Sequence, residues 1–192
     1  CIRDSNAMAS TPMHLVLFFN AVEHVARISR IITLPFGNAL LVGVGGSGRQ
    51  SLSRLAAYMS DYELFQIELT RGYGKVEFLE DVKKIMRVAG VDGDQIVWLF
   101  TDTQIVEETF LEDLNNILNT GDVPNLMSAP EDQEAIATAC RPLCAAQGLQ
   151  ATVMNMEAIY VSRVKQNLHL VLAMSPIGED FRRRVNMFPG LV

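Results

Sequence analysis

The chain has 192 residues, of which 49% are hydrophobic, and this length suits one domain with a sizeable core. Sixteen basic and twenty-two acidic residues give a net charge of -6, which argues against a surface built mainly to neutralise nucleic-acid phosphates. No apolar run reaches the ~18 to 20 residues that a membrane-spanning helix requires, so we expect a soluble intracellular protein. Cys1, Cys140 and Cys144 are odd in number and lack CxxC spacing, which predicts reduced thiols.

The two ends of the chain lack a regular pattern. Residues 1–12 begin at Cys1 rather than at a methionine and show no periodicity, so we predict a non-native or disordered leader there. The final residues, 188–192, stop without a helix cap or a polar tail. We therefore predict one domain over residues 13–192, cut from a longer protein.

Helices and strands alternate in the predicted order. A first helix is predicted within residues 14–32 by apolar residues at helical spacing: Phe18, Ala21, Val22 and Val25. A short apolar run at residues 39–42, bounded by glycine, predicts a strand buried on both faces of a parallel sheet. After a glycine-rich turn, a second helix is predicted by the apolar face of Leu52, Leu55, Ala56 and Met59.

The same alternation continues to the end of the chain. The remaining strands are predicted at residues 63–69, 95–102 and 169–175. Further helices are predicted by apolar faces within residues 78–89, 110–118 and 156–160, and Gly90 and Gly121 are expected to end the first two. A short helix is predicted to begin near Pro130, and a short basic helix to include residues 182–184. The pattern predicts an α/β fold with helices on a central parallel sheet.

The strongest functional signal is the glycine-rich turn between the first strand and the second helix. It consists of Gly43, Val44, Gly45, Gly46, Ser47, Gly48, Arg49, Gln50 and Ser51. Gly43 and Gly48 have the separation found in G-x-x-x-x-G-K-[ST], where backbone N–H groups and a helix N-terminus hold phosphate oxygens. The turn therefore predicts nucleotide binding, and the alternative is a tight turn that binds nothing.

Two positions depart from this phosphate-loop pattern. Arg49 replaces lysine and keeps the charge, but its larger planar fork reaches phosphate with a different geometry. Gln50 replaces the Ser or Thr that would bind Mg²⁺, and a neutral amide oxygen is a poorer ligand; Ser51 is one residue further along. We therefore expect nucleotide binding to be retained more readily than metal positioning and hydrolysis.

Polar residues after the third and fourth strands are candidates for the same site. Asp102 ends the third strand, where an acid can serve Mg²⁺ or orient water; a solvated acid is the alternative. Ser175 ends the fourth strand and is a sensor-like candidate that would contact a γ-phosphate or position water. The alternative is a serine that only caps the strand before Pro176.

Other polar and aromatic residues are assigned ordinary structural roles. Arg182, Arg183 and Arg184 are interpreted as a solvated basic face, and stabilisation of phosphate charge at a neighbouring module is the alternative. His14, His24 and His169 show no ligand spacing. Trp98 is predicted to lie in the core.

Four stretches of the sequence resemble dynein heavy chains. Residues 43–56 resemble the phosphate loop of the fourth AAA+ module of these motors, where the pair Gln50 and Ser51 is unusual among NTPases. Three further stretches agree in order: residues 71–75, residues 99–105 running into 110–125, and residues 169–176 with 187–189. The resemblance covers residues 13–192, and the forms around Asp102 and Ser175 are similar to axonemal heavy chains.

The resemblance implies a fold, a role and partners. The fold is the P-loop NTPase (AAA+) three-layer sandwich with a central parallel sheet, truncated before the final strand and the helical lid, so that a sheet edge and apolar surface are exposed. The role is a regulatory ATP- or ADP-binding module in a ring of six. The implied partners are neighbouring modules of the heavy chain, dynein intermediate and light chains, and microtubules, without nucleic acid or membrane. The implied location is the cytoplasm and cytoskeleton, in the axoneme of a cilium or flagellum.

The resemblance also bears on hydrolysis. It aligns Thr101 with the family's metal-binding Asp and Asp102 with its water-orienting Glu, which implies weak or absent turnover. Any Mg²⁺ would depend on Gln50 and Asp102, which depart from the usual ligands. Two alternatives remain: an active ATPase module in which Asp102 is catalytic, and a structural ring module that binds no nucleotide.

Overall fold

A computed structural model describes residues 18–177 and 179–191. The predictions for residues 1–12, Cys1 and His14, and for a first helix beginning before residue 18, lie outside these residues. The strands are β1 (Ala39–Val42), β2 (Glu63–Phe65), β3 (Ile96–Thr101) and β4 (Leu168–Met174). The helices are α1 (Phe19–Ile32), α2 (Arg49–Met59), α3 (Lys75–Arg87), α4 (Thr109–Thr120), α5 (Pro130–Ala146), α6 (Val153–Asn167) and α7 (Glu179–Met187).

The four strands form one parallel sheet in the order β1-β4-β3-β2. Helices connect successive strands, because parallel neighbours need a crossover connection. Val42 lies opposite Met174, and Thr101 lies opposite Ala173. The carboxyl ends of β1, β3 and β4 therefore meet at one edge of the sheet, where the glycine-rich turn, Asp102 and Ser175 follow them. The predicted α/β fold is confirmed.

The core has a layer on each face of the sheet. On one face, Trp98 and Phe100 of β3 contact the ring of Phe78, which stacks on Phe110 at 4.1 Å between ring centres. On the other face, α1 and α2 cover Val97 and Leu99 of the same strand. Successive residues of a strand point to opposite faces, so β3 serves both layers. The predicted core position of Trp98 is confirmed.

The prediction that β1 is buried on both faces is wrong. Only Ala39 of this strand is buried, and Val42 is 47% exposed. Among residues 18–177 and 179–191, β1 pairs with β4 alone and forms an edge of the described sheet. A short apolar run predicts a strand, but its place in the sheet depends on distant partners.

The predicted apolar faces of the first two helices are too wide. Phe18, Val22 and Met59 are exposed. The buried stripe of α1 is narrower than predicted and consists of Ala21, Val25, Ile28 and Ile32. Phe18 and Val22 flank this stripe, and Met59 is the last residue of α2, so none of them faces the sheet.

The strand predicted at residues 63–69 is shorter in the structure. β2 ends at Phe65, which pairs with Trp98. Beyond it, the carbonyl oxygen of Ile67 accepts a hydrogen bond from Nε2 of Gln104 at 2.5 Å. A side chain thus replaces the neighbouring strand as the partner of this backbone.

The helix predicted to begin at Pro130 does begin there, but it is not short. α5 has 17 residues and continues through Pro142. Pro142 is exposed, while Ile136, Cys140 and Cys144 form a buried stripe four residues apart. Packing of this stripe outweighs the helix-breaking tendency of one proline. Neither cysteine forms a disulfide within the described part of the chain.

Gly90 was predicted to end the third helix, but it has another role. A π-helical turn, Val88–Asp92, follows α3, and Gly93 ends it with a φ of 86°. Gly90 lies inside this turn, where a Cβ atom would be 2.3 Å from the Tyr160 ring. Gly121 does end α4, with a φ of 76°, as predicted. Within the described ranges, no helix is both long and apolar enough to cross a membrane.

Candidate nucleotide-binding site

The glycine-rich turn joins β1 to α2 at the carboxyl edge of the sheet. Gly46 and Gly48 have φ values of 77° and 78°, a region that residues with a Cβ rarely adopt. Gly48 is the N-cap of α2, and no side chain of the described residues caps this helix end. Among these residues, the first N–H groups of α2 therefore remain without intrahelical or side-chain partners, at the positive end of the helix dipole. These are the groups that bind phosphate in such a turn.

A cleft of about 290 Å³ lies beside these N–H groups. It is lined by Gly46, Ser47, Gly48, Arg49, Gln50, Ser51, Asp102 and Ala173. A second cleft, of about 260 Å³, shares Asp102 and extends to Ser175 and Arg184. The structure thus brings together the predicted phosphate loop, the predicted acid and the predicted serine. Open backbone N–H groups at a helix N-terminus are the kind of site that holds phosphate oxygens.

Arg49 is bound to the main chain on both sides of its guanidinium. Its Nη1 donates to the carbonyl oxygen of Met174, and its Nη2 donates to the carbonyl oxygen of Val44 at 3.3 Å. The N–H of Gly43 donates to the same Met174 oxygen at 3.2 Å. A phosphate must compete with these neutral carbonyls for Arg49. Because hydrogen bonds between two charged groups are stronger, that exchange is favourable.

Asp102 directly follows β3 and is half-buried. Its Oδ2 accepts a hydrogen bond from the N–H of Ser175 at 2.9 Å. The preceding residue, Thr101, is 2% exposed, and its hydroxyl lies 2.9 Å from that of Thr103. Thr101 therefore places a buried neutral group beside Asp102, whose carboxylate lines the first cleft.

The residues offer an incomplete set of Mg²⁺ ligands. Oε1 of Gln50 accepts from Nε2 of Gln66 at 3.4 Å, and Gln66 in turn accepts from Arg54 at 2.5 Å. No group of three acidic, histidine or cysteine side chains suited to a metal occurs in the described part of the chain. Mg²⁺ beside phosphates usually needs one or two carboxylates, with waters completing its shell. Asp102 fits that need, whereas Gln50 is engaged elsewhere.

The hydroxyl of Ser175 is used within its own turn. Its Oγ accepts from the N–H of Ile177 at 3.4 Å, which matches the strand-capping alternative for this serine. Gln66 and the Met174 carbonyl were missed in the sequence. Gln66 follows β2 at the same sheet edge as the other polar candidates. A search for polar residues after each strand would therefore have found it. Every residue has a main-chain carbonyl, so the residue types in a sequence do not indicate which carbonyl will take part in a site.

The three arginines of α7 differ in solvent exposure and in ion pairing. Arg182 and Arg183 are exposed, as a solvated basic face predicts, but the side chain of Arg184 is only 15% exposed. Arg184 and Arg183 both pair with Glu108 at the start of α4, at 3.0 and 3.2 Å. The hydrogen bond from Arg184 is the main reason that the pKa of Glu108 is lowered. For Arg184, the predicted solvated role is wrong because this ion pair holds α7 against α4.

Comparison with known proteins identifies the family. Residues 13–192 match the family model described as P-loop containing dynein motor region D4. The chain is 54% identical over 191 residues to dynein axonemal heavy chain 1 of Rattus norvegicus and 50% identical over 190 residues to dynein axonemal heavy chain 6 of Homo sapiens. It is 52% identical over 181 residues to the dynein-1-beta heavy chain of the flagellar inner arm I1 complex of Chlamydomonas reinhardtii.

These alignments cover 100%, 98% and 94% of the chain, respectively, but only 4% of each relative. The match to the family model extends over nearly all of the chain and includes every element of the cleft. It confirms the resemblance that the phosphate loop and the strand ends indicated. The chain belongs to the family of P-loop containing dynein motor regions D4.

Proposed function

We propose that the chain is the nucleotide-binding large subdomain of a regulatory AAA+ module, which holds ATP or ADP with weak or absent hydrolysis. The observation that carries this proposal is the uncapped N-terminus of α2 behind Gly46 and Gly48, open to a cleft of about 290 Å³. Its N–H groups and Arg49 supply positive potential for phosphates. Nucleotide binding is expected for the dynein motor family in general.

Three features support binding without efficient turnover. Thr101 is neutral and buried where the family pattern has a metal-binding carboxylate. The side-chain oxygen of Gln50 is engaged by Gln66. Asp102 is shorter than the glutamate that usually orients water, and it accepts the Ser175 N–H. A nucleotide can be held by backbone groups alone, but hydrolysis needs a placed metal and a placed water.

The setting of the module follows from the family and is part of the proposal. The relatives are axonemal and flagellar heavy chains, of which the chain spans 4%. We therefore propose a place in the axoneme of a cilium or flagellum, within a microtubule motor. The direct partners would be neighbouring AAA+ modules of the same heavy chain. Intermediate chains, light chains and microtubules would be engaged through the whole motor.

Calorimetric titration with ADP and with ATP tests the proposal. We expect the protein to bind nucleotide and Arg49→Ala to weaken binding about tenfold or more, because a charge-assisted bond to phosphate is lost. Arg141 is exposed on α5 and does not line the cleft, so Arg141→Ala serves as the control and should bind as the parent does. If the folded protein binds neither nucleotide, the module has a structural role and the proposal is wrong.

Steady-state hydrolysis separates the regulatory role from the catalytic alternative. We expect little Mg²⁺-dependent turnover, and little further loss in Asp102→Asn. Substantial turnover that Asp102→Asn abolishes, with nucleotide binding retained, would instead establish an active ATPase in which Asp102 is catalytic.

A further inference from the structure

One peptide group at the end of β4 lies between the two charged residues of the site. The carbonyl oxygen of Met174 and the N–H of Ser175 belong to the same peptide bond. Arg49, from the phosphate loop, donates to that oxygen. Asp102, from the end of β3, accepts from that N–H at 2.9 Å. A cation and an anion therefore hold opposite ends of one main-chain dipole.

The two contacts reinforce each other. A cation at the carbonyl oxygen draws electron density through the peptide group and makes its N–H a better donor to Asp102. Met174 is buried, so water competes poorly for the carbonyl contact. The loss of either charged partner is expected to weaken the bond that the other one makes.

The side chain of Ser175 is not part of this arrangement. Its hydroxyl accepts from Ile177 within the turn that follows β4. That turn leads to α7, which Arg183 and Arg184 tie to Glu108 of α4. A change in the peptide group thus has a short covalent route to α7.

We infer that the Met174 to Ser175 peptide group, rather than the Ser175 hydroxyl, reports whether the phosphate site is occupied. This inference rests on the proposed nucleotide binding. Phosphate draws Arg49 away from the Met174 oxygen, because a charged acceptor forms the stronger hydrogen bond. The bond from Ser175 N–H to Asp102 then weakens, and the turn over residues 175–177 loosens.

Hydrogen exchange in the complete heavy-chain motor, with and without ADP, tests this inference. Exchange rates are measured in two regions in one experiment: at the amides of residues 43–51 and at the amide of Ser175. We expect ADP to slow exchange in the loop and to speed exchange at Ser175 about tenfold, as expected when a charge-assisted hydrogen bond weakens. Ser175→Ala removes only the hydroxyl and should keep the full response.

Two further variants remove the charged partners separately. Arg49→Ala should show fast exchange at Ser175 without ADP and no further change with it. Asp102→Asn should also speed exchange at Ser175 without ADP, so the inference stays testable if Arg49→Ala does not fold. If the exchange rate of the Ser175 amide is unchanged in Asp102→Asn, the inference is overturned.

The remaining outcomes distinguish this inference from the proposed function. If ADP does not protect the loop, nucleotide binding fails and both are overturned. If the loop is protected but Ser175 exchange does not rise, only the inference is overturned. Only the inference is overturned, too, if Ser175→Ala abolishes the response, because the response would then depend on the Ser175 hydroxyl. A response that persists in Arg49→Ala would show that it arises at another nucleotide site.

Discussion

His169 is a buried histidine that connects the strands at the end of the sheet opposite the cleft. Its Nδ1 lies 2.9 Å from the carbonyl oxygen of Gly37, and its Nε2 lies 3.0 Å from Oε1 of Gln95. Its ring stacks on Tyr62 at 5.5 Å. Burial lowers the pKa of His169 and outweighs the Gly37 carbonyl, which raises it. The structure therefore gives this residue a packing role, as its lack of ligand spacing predicts.

The lowered pKa of His169 predicts a pH-dependent stability. The folded-state pKa lies below the ordinary value of 6.5, so the unfolded chain takes up the proton first as the pH falls. The stability contribution is present above the unfolded pKa and is lost as the pH falls through it towards the folded pKa. We expect the free energy of unfolding to fall between about pH 7 and pH 5, and to fall less in His169→Gln.

Urea denaturation at a series of pH values measures this dependence. His24 is exposed on α1, so His24→Gln should keep the slope of the parent protein. An identical slope in His169→Gln would contradict the assigned role of His169.

Among the helices, α3 and α4 are joined by a lysine to which the sequence analysis assigned no role. Lys75, the first residue of α3, forms an ion pair with Asp113 and donates to the carbonyl oxygen of Thr109 at 3.2 Å. Its Nζ also lies 5.7 and 6.0 Å from the ring centres of Phe78 and Phe110. The side chain of Asp113 is only 12% exposed, so its charge depends on this partner.

Loss of the Lys75 ammonium is expected to destabilise the protein by about 1–3 kcal/mol, because it leaves a nearly buried carboxylate without its cation. Lys75→Met keeps the apolar stem against the rings and removes only the charge. Lys84→Met on the same helix is the control: Lys84 is 72% exposed and lies 3.9 Å from Asp81, so its effect should stay below about 0.5 kcal/mol. The denaturant midpoints of the two variants measure their losses of stability. Equal losses in Lys75→Met and Lys84→Met would refute the role of Lys75.

The π-helical turn after α3 depends on close approach to α6. A Cβ atom at Gly90 would lie 2.3 Å from the Tyr160 ring and 2.8 Å from Cγ2 of Val164. We expect Gly90→Ala to destabilise by about 1–3 kcal/mol through overpacking. A Cβ atom at Gly45 would have no atom of the described residues within 4 Å, so Gly45→Ala should leave thermal stability nearly unchanged. Equal melting temperatures for the two variants would contradict the packing argument.

At the scale of the whole molecule, β3 ties both core layers together. Trp98 faces one layer, and its neighbours Val97 and Leu99 face the other. Since both layers share this strand, we expect them to unfold in one transition. Trp98 is the single tryptophan, so its fluorescence reports the first layer and far-UV circular dichroism reports all helices. Urea transitions measured by the two methods should coincide, and separate midpoints would show that the layers unfold independently.

Local patterns in the sequence predicted the elements and the members of the site. The spacing of Gly43 and Gly48, the acid after β3 and the serine after β4 predicted a phosphate site at one sheet edge, and in the structure these residues follow strand ends that meet at one edge. These signals are readable because turn conformation and strand ends depend on nearby residues. The errors at Val42 and Met59, and in the length of the helix that begins at Pro130, arose where burial or helix length depends on the packing of distant segments.

The sequence by itself determined the α/β alternation, the dynein family and most of the residues that line the cleft, although it did not indicate Ala173. Only the tertiary structure decided that β1 lies at an edge of the described sheet, that Arg184 pairs with Glu108, and that Arg49 and Asp102 hold one peptide group of β4. Those contacts join residues more than seventy positions apart. Their partners are side chains and main-chain atoms that folding brings together, and no local pattern of residue types encodes which distant carbonyl a given side chain will meet.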